Sequence, residues 1–358
     1  MKLIIEPDDG VAPLLALIKS ARERVDMAIF RFDHREIEKT LKTAVSSGVK
    51  VHTLIADSNR GGEKQLRKLE MRFLEAGITV SRSANDLIRH HSKIIVIDQK
   101  VLAILSFNFT HMDIDRSRGF GIVTENAKWV TEADKLLQAD SKRTGYTCDQ
   151  DTFVVSPVNA RKVLGKFLSK AQKQLLIYDP KISDRAMIRV LKDRGKAGVE
   201  IRVIGQTKAG LEARMLSNLR LHTRSIIRDA EEAFIGSQSL RATELDLRRE
   251  AGLIVSDAPI VGKLIETFEL DWSSGVAEKS RAVLLDLDKE KSPNQDAEIA
   301  MKVLVEELHP VTSVVKKAVE NIVAQAGEEI LQDGKVKETV KKVVKKVVKQ
   351  AVKEAIQS

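Results

Sequence analysis

Apolar positions along the first 140 residues follow two alternating rhythms. Short runs rich in Val, Ile and Leu, namely VDMAIF, VKVHTLIA, ITVS, KIIVID, VLAILS and GFGIVT, read as strands. A helix precedes the first of them. HREIEKTLKTAVSSG, EKQLRKLEMRFLEAG and WVTEADKLLQA carry apolar residues at helical spacing. The first two stop at Gly48 and Gly77, and glycine closes a helix with least strain. Strands alternating with helices predict an α/β architecture, a mixed sheet flanked by helices.

The pattern then returns. Ala21, Val25 and the pair Gly48–Val49 recur as Ala171, Leu175 and Gly198–Val199 at a constant offset of 150. Farther on the offset falls to 131, where LHTRSIIRD lies over HHSKIIVID. His91, Lys93, Asp98, Ser106 and Gly121 then meet His222, Arg224, Asp229, Ser237 and Gly252. The smaller offset means a shorter connection before the motif in the second half, and loops tolerate such changes. The expectation is a duplicated α/β fold, its two mixed-sheet domains packed about a pseudo-twofold axis. The halves are expected at 1–150 and 151–288, followed by a linker, KEKSPNQD, at 289–296 and a helical extension at 297–358.

The repeated stretch carries the candidate chemistry. If KIIVID is a strand, His91 and Lys93 share one face and Asp98 takes the other. A tight turn near Gln99–Lys100 leads into VLAILS, which brings Ser106 and Asn108 to one face at its far end. A lone His-x-Lys is an ordinary strand pair; the duplicated spacing is what argues for a shared pocket. Two such faces meeting at the axis would gather two imidazoles and two cations. Asp98 and Asp229 point away, so capping a turn or pairing with a nearby base suits them better. His34, His52, His90, His111, His309 and Cys148 have no spacing partner, and structural or surface roles suffice for them. No cluster has metal-ligand spacing, so no metal or cofactor is expected.

Composition narrows the class. The 358 residues are 43% hydrophobic and 31% charged, as in a globular chain large enough for two domains. No apolar run approaches a membrane span, and MKLIIEPDDG meets acid and proline before any signal core develops. The single cysteine excludes an internal disulfide framework. A cytoplasmic protein is the expectation, with the inner membrane face as an alternative site of action. The net charge of +9 is concentrated at the end: residues 335–358 hold eight lysines against Glu338 and Glu354. What remains for the body is about +3, an ordinary balance. Aromatic residues at 4% offer no evident stacking platform for single-stranded nucleic acid.

The paired motifs resemble the phospholipase D superfamily, whose members carry two His-x-Lys-x4-Asp motifs in duplicated α/β halves. The likeness covers roughly residues 2 to 275 and is nearest to bacterial proteins of the cardiolipin-synthase-like group. The first motif departs at Leu105, where the family usually has glycine. The second keeps His222, Asp229, Gly236 and Ser237 but has Arg224 for lysine and Ser239 for asparagine. Family members also place an acid farther along each half to orient the other half's histidine. Glu250 fits; its counterpart is Gly119, which leaves His222 without a carboxylate from that position. Asp113 and Asp115 are nearby alternatives.

The resemblance implies that His91 attacks phosphorus to form a phosphohistidine while His222 serves as acid and then base. Lys93, Arg224, Ser106, Asn108, Ser237 and Ser239 would hold the phosphate oxygens, with Glu250 holding His91. It implies a phosphodiesterase or phosphatidyl transferase acting on phospholipids. A nuclease acting on DNA or RNA is the alternative from the same family. A degenerate phosphate-binding or scaffold protein is the third reading, on the strength of Arg224, Ser239 and Gly119.

Beyond the repeat, residues 297–308, 311–331 and 335–356 read as helices. In the last, Val336, Val340, Val343, Val344, Val347, Ala351, Val352 and Ala355 form an apolar stripe opposite lysines. This basic amphipathic helix could pack on a neighbouring helix or subunit. The next readings are that it lies on an anionic membrane, or that it meets nucleic acid or an acidic partner or is largely disordered. The oligomeric state stays open.

Overall fold

The computed structural model describes residues 1–57, 63–84, 86–207 and 210–277. All fall within one compact unit, Met1–Leu285. The expected linker and helical extension, including the basic segment 335–358, lie outside the described residues.

The first half runs β1 (Lys2–Glu6), α1 (Ala12–Lys19), β2 (Arg24–Ile29), α2 (Arg35–Ser46) and β3 (Lys50–Ile55). It continues with α3 (Glu63–Glu75), β4 (Thr79–Arg82), β5 (Arg89–His90), β6 (Ile94–Ile97) and β7 (Val101–Leu105). α4 (His111–Arg116), β8 (Ser117–Thr124) and α5 (Ala127–Lys142) complete it.

The second half begins with β9 (Phe153–Ser156), α6 (Ala160–Ser169), β10 (Gln174–Ile182), α7 (Arg185–Lys196) and β11 (Glu200–Thr207). Next come β12 (Glu212–Met215), β13 (Arg220–Leu221), β14 (Arg224–Arg228) and β15 (Glu232–Gly236). α8 (Ala242–Asp246), β16 (Arg248–Val255), α9 (Ala258–Ser274) and β17 (Val276–Ala277) follow. The shorter connection has a structural identity, because nothing described between β11 and β12 matches α3.

Each half builds one mixed sheet. The first has the order β1-β8-β7-β6-β2-β3-β4, and the second β17-β12-β11-β10-β14-β15-β16-β5, with β9 also on β16. Two short strands change sides. β5, from the first half, pairs with β16, and β13, from the second, pairs with β8.

Three apolar clusters hold these layers. One lies under α1, α2 and α3 and another under α6 and α7. The third joins the inner faces of both sheets through α5 and α9, with Trp129, Leu136, Leu264, Phe268 and Trp272 among its members. Both inner helices are well started. Asn126 accepts the Trp129 N–H, and Asp257 accepts the Ile260 N–H.

Two buried ion pairs cross between the halves in mirror fashion. Arg118 donates to Asp271 at 2.8 and 3.0 Å and to the Glu6 carbonyl at 2.9 Å. Arg249 donates to Asp140 at 3.1 Å and to the Ser156 carbonyl at 3.1 Å. Each pair joins a strand of one half to the inner helix of the other, as a pseudo-twofold arrangement requires.

The turn acids show the same symmetry. Asp98 accepts the backbone N–H groups of Arg22, Glu23 and Arg24 at 2.7–2.8 Å. Asp229 accepts those of Gln172, Lys173 and Gln174 at 2.7–3.1 Å. Both sit at positive φ, opening the tight turns that join β6 to β7 and β14 to β15. Among the described residues no helix is long and apolar enough to cross a membrane.

Candidate functional site

The exchanged strands explain how the two motifs meet. β5 delivers His91 into the sheet of the second half, where its N–H donates to the Arg249 carbonyl at 2.7 Å. β13 delivers His222 into the first, where its N–H donates to the Arg118 carbonyl at 3.2 Å. This corrects one expectation. His91 and Lys93 precede β6 rather than lying on it, because the backbone changes partner here. By Lys93 it has returned to its own sheet, where its carbonyl accepts the Leu105 N–H.

His91 is buried, its ring edge-on to Phe30 at 4.4 Å. Its Nδ1 lies 2.8 Å from a carboxylate oxygen of Glu250, across the boundary between the halves. A carboxylate there fixes the Nδ1–H tautomer and leaves Nε2 with its lone pair. The ammonium nitrogen of Lys93 stands 2.9 Å from both ring nitrogens and donates to the His91 carbonyl at 2.6 Å. Burial, then the charges of Lys93 and Arg224, hold His91 well below the usual imidazole range. Burial also pulls Lys93 down to about 7.

His222 repeats the plan more loosely. Arg224 donates to the His222 carbonyl at 2.6 Å, as Lys93 does to that of His91. Burial lowers His222 well below its ordinary range, with Asp113 opposing and Arg224 and Lys93 reinforcing. Lys93 and Arg224 thus act on both histidines, so the four groups lie within electrostatic reach of one another.

His222 does have a carboxylate neighbour. Its Nδ1 is 3.5 Å from Asp113, within ion-pair range but too long for a hydrogen bond. Asp113 lies on α4, capped by Thr110, and also takes Asn108 at 2.8 and 2.6 Å and Arg220 at 2.5 Å. Burial pushes its carboxyl up, but His222, Asn108 and Arg220 outweigh this and hold it low. No acid could stand at Gly119 without repacking: a Cβ there would lie 2.8 Å from the Phe107 ring.

The supporting residues divide. Asn108 faces the pocket indirectly, through Asp113. Ser106 accepts the Phe120 N–H at 2.9 Å, and Ser237 accepts that of Ala251 at 3.2 Å, so each hydroxyl is anchored to a neighbouring strand. Ser239 does not fit the expected phosphate-holding role. Its hydroxyl donates to Asp179 at 2.5 Å, and its N–H donates to Glu244 at 2.8 Å. Glu244 also takes Arg248 at 3.0 Å and lies 3.8 Å from Arg224.

Sequence reasoning missed Arg220, Glu244 and Arg248 around this pocket. The recurrence of Asp113 as Glu244 at the offset of 131 was the available signal. Glu6 was missed too. It lies across the strand pair from Gly119, with both oxygens buried and unpartnered among the described residues. Burial, then the nearby Asp9, pushes its carboxyl up to about 8.

Comparison with known proteins finds a likeness over the first half. Residues 14–141 match the family model described as cardiolipin synthase, PLD-like domain. Over that stretch the chain is similar to the phospholipase-D-like domain.

Two solved structures, a polyphosphate kinase and a phosphatidylserine synthase, agree with this fold. Polyphosphate kinase from Porphyromonas gingivalis is similar over 76% of the chain, at 20% identity and a TM-score of 0.63. The chain spans 50% of that kinase's length. Phosphatidylserine synthase from Haemophilus influenzae Rd KW20 is similar over 78% of the chain and 87% of its own length, at 12% identity and a TM-score of 0.60. Nuc from Salmonella typhimurium, a phospholipase D family member, aligns with 40% of the chain and 95% of its own length, at 25% identity and a TM-score of 0.36. No curated protein sequence matches the chain.

Proposed function

We propose that the chain is a phosphodiesterase or phosphatidyl transferase that works on phospholipids through a phosphohistidine. The observation that carries this reading is the cross-half contact of His91 with Glu250 at 2.8 Å, beside two fixed cations.

The Nε2 lone pair of His91 forms a bond to phosphorus as the bond to the leaving alcohol oxygen breaks. His222 donates its proton to that oxygen. It then takes a proton from water or a second alcohol, whose oxygen attacks phosphorus and releases His91. Such acid–base help is worth roughly 10²–10⁴-fold.

The Lys93 ammonium lies 2.9 Å from both ring nitrogens of His91, beside the ring, where it can meet the anion of a bound phosphodiester. The same anion raises the proton affinity of His222, which burial otherwise leaves neutral at pH 7. Substrate therefore completes the catalytic protonation state. Arg224 and Lys93 supply the fixed positive charge that stabilises the pentacoordinate oxygens.

A phospholipid is favoured by the family model matched and by the length over which the phosphatidylserine synthase aligns. The test compares wild type and His91→Ala on labelled phospholipid vesicles and on plasmid DNA. Lipid turnover that disappears in the variant is expected. DNA cleavage that disappears in the variant, with no lipid turnover by wild type, would replace this reading with the nuclease. Turnover of neither, with phosphate analogues still bound, would leave a binding protein.

A further inference from the structure

His34 ends the β2–α2 connection, and His111 opens α4. The sequence gives neither a spacing partner, yet folding stacks their rings 4.1 Å apart with 26° between the planes. One turn farther along α4, Asp115 holds a carboxylate oxygen 3.1 Å from His111 Nδ1. One ring nitrogen of each histidine and one Asp115 oxygen all lie within 4.8 Å of one another.

These dimensions suit a metal ion. Ligand atoms about 2.0–2.1 Å from a tetrahedral centre stand roughly 3.3 Å apart. The His111–Asp115 pair already has nearly that spacing. His34 is the fixed member and His111 the half-exposed one, so a turn of the His111 side chain closes the remaining gap.

Two further observations point to a cation. His34 is 2% exposed, and its Nδ1 is buried with no hydrogen-bond partner among the described residues. A buried polar atom left alone is costly unless something binds it. The surroundings are also negative: Asp115, Glu36 and Asp33 all act on His34. Asp33 further ties the two segments by accepting the His111 N–H at 2.9 Å.

We propose that His34, His111 and Asp115 form a site for a divalent transition-metal ion of the zinc class, with water filling the solvent side. Two imidazoles and one carboxylate match such an ion better than magnesium or calcium, which prefer oxygen ligands. The site would clip the β2–α2 connection to α4. That helix also carries Asp113, the acid nearest His222, so the clip fixes a helix that serves the pocket. The proposal does not depend on what the pocket turns over.

The test uses the full chain, freed of metal by chelator and dialysed, then titrated with Co²⁺ alone. Visible d–d absorbance reports the ligand set, and equilibrium dialysis gives the stoichiometry. Wild type is expected to bind one Co²⁺, with bands of mixed nitrogen and oxygen ligation. His111→Gln and Asp115→Asn, both on exposed side chains, should each weaken binding by about tenfold or more. The double variant should lose the bands while keeping its circular dichroism. Zn²⁺ should raise the melting temperature of wild type and leave that of the double variant unchanged. No binding by wild type at about 1 mM Co²⁺ would overturn the proposal. So would a double variant that binds as wild type does.

Discussion

The two halves of the pocket were built from one pattern and hold their histidines differently. His91 is gripped at 2.8 Å by Glu250, while His222 stands 3.5 Å from Asp113. The tight contact favours the tautomer with hydrogen on Nδ1. The loose one leaves an imidazole that can gain and lose a proton, with an anion near enough to steady the charged form. The duplicated scaffold thus has unequal parts, and the proposed division between nucleophile and proton carrier rests on that difference. The cations differ as well. Lys93 can lose its charge near neutral pH, and its counterpart Arg224 offers a planar fork of donors instead of a compact ammonium.

The comparison can be broken by substitution. His91→Ala should remove turnover by about 10⁴-fold or more, and His222→Ala by roughly 10²–10⁴-fold with activated leaving groups least affected. Steady-state rates on substrates of graded leaving-group pKa separate the two. Equal sensitivity to leaving group in both variants would erase the division of labour.

The supporting acids come next. Glu250→Gln should cost about 10²-fold in kcat, because an amide no longer secures the Nδ1–H tautomer. Asp113→Asn should cost about tenfold, since its contact with His222 is longer and Arg220 and Asn108 share the carboxylate. The reverse order would mean that His222 is the histidine held for attack.

A smaller effect tests the cations. Lys93 must be charged to meet phosphate, so wild-type activity should fall as pH rises through about 7. Lys93→Arg should cost a few-fold at pH 6 and move that alkaline limb upward by more than one pH unit. A limb that stays in place would assign it to another group.

The smallest concerns stability. Glu6 titrates at about 8 when folded against an ordinary 4.5, so the folded state holds its proton more tightly. Its contribution is present at low pH and is lost as pH rises through about 8. Urea denaturation of Glu6→Gln should therefore show a flatter pH profile between 5 and 8, with a gain of about 2 kcal/mol at the upper end. A profile identical to wild type would show that Glu6 finds a partner when ionised.

Much of this was readable in the sequence, for physical reasons. Strands with β-branched runs and helices ending at Gly48 and Gly77 announce themselves through periodicity. The repeat announced itself through spacing, which led to His91, Lys93, His222, Arg224 and Glu250. What stayed hidden has no local signature. β5 and β13 are two residues long and cross to the other half's sheet, an arrangement that only tertiary pairing reveals. β1 and β9 were hidden in the same way, each recruited by an edge strand of its own half. Arg118 with Asp271, and Arg249 with Asp140, recur at the offset of 131. Nothing local marks them as partners 153 and 109 residues apart. Ser239 sits at a motif position, but its hydroxyl was claimed by Asp179, a residue with no counterpart in the first half, where Ile29 stands.

The central claim is that the histidine gripped by Glu250 is the one that attacks phosphorus. Rapid acid-free quenching of the full chain with substrate labelled at phosphorus, followed by peptide mapping of the trapped intermediate, tests it directly. Label on His91, lost in His91→Ala and accumulating in His222→Ala, is the expected result. Label on His222 would contradict the account and reverse the roles of the two halves.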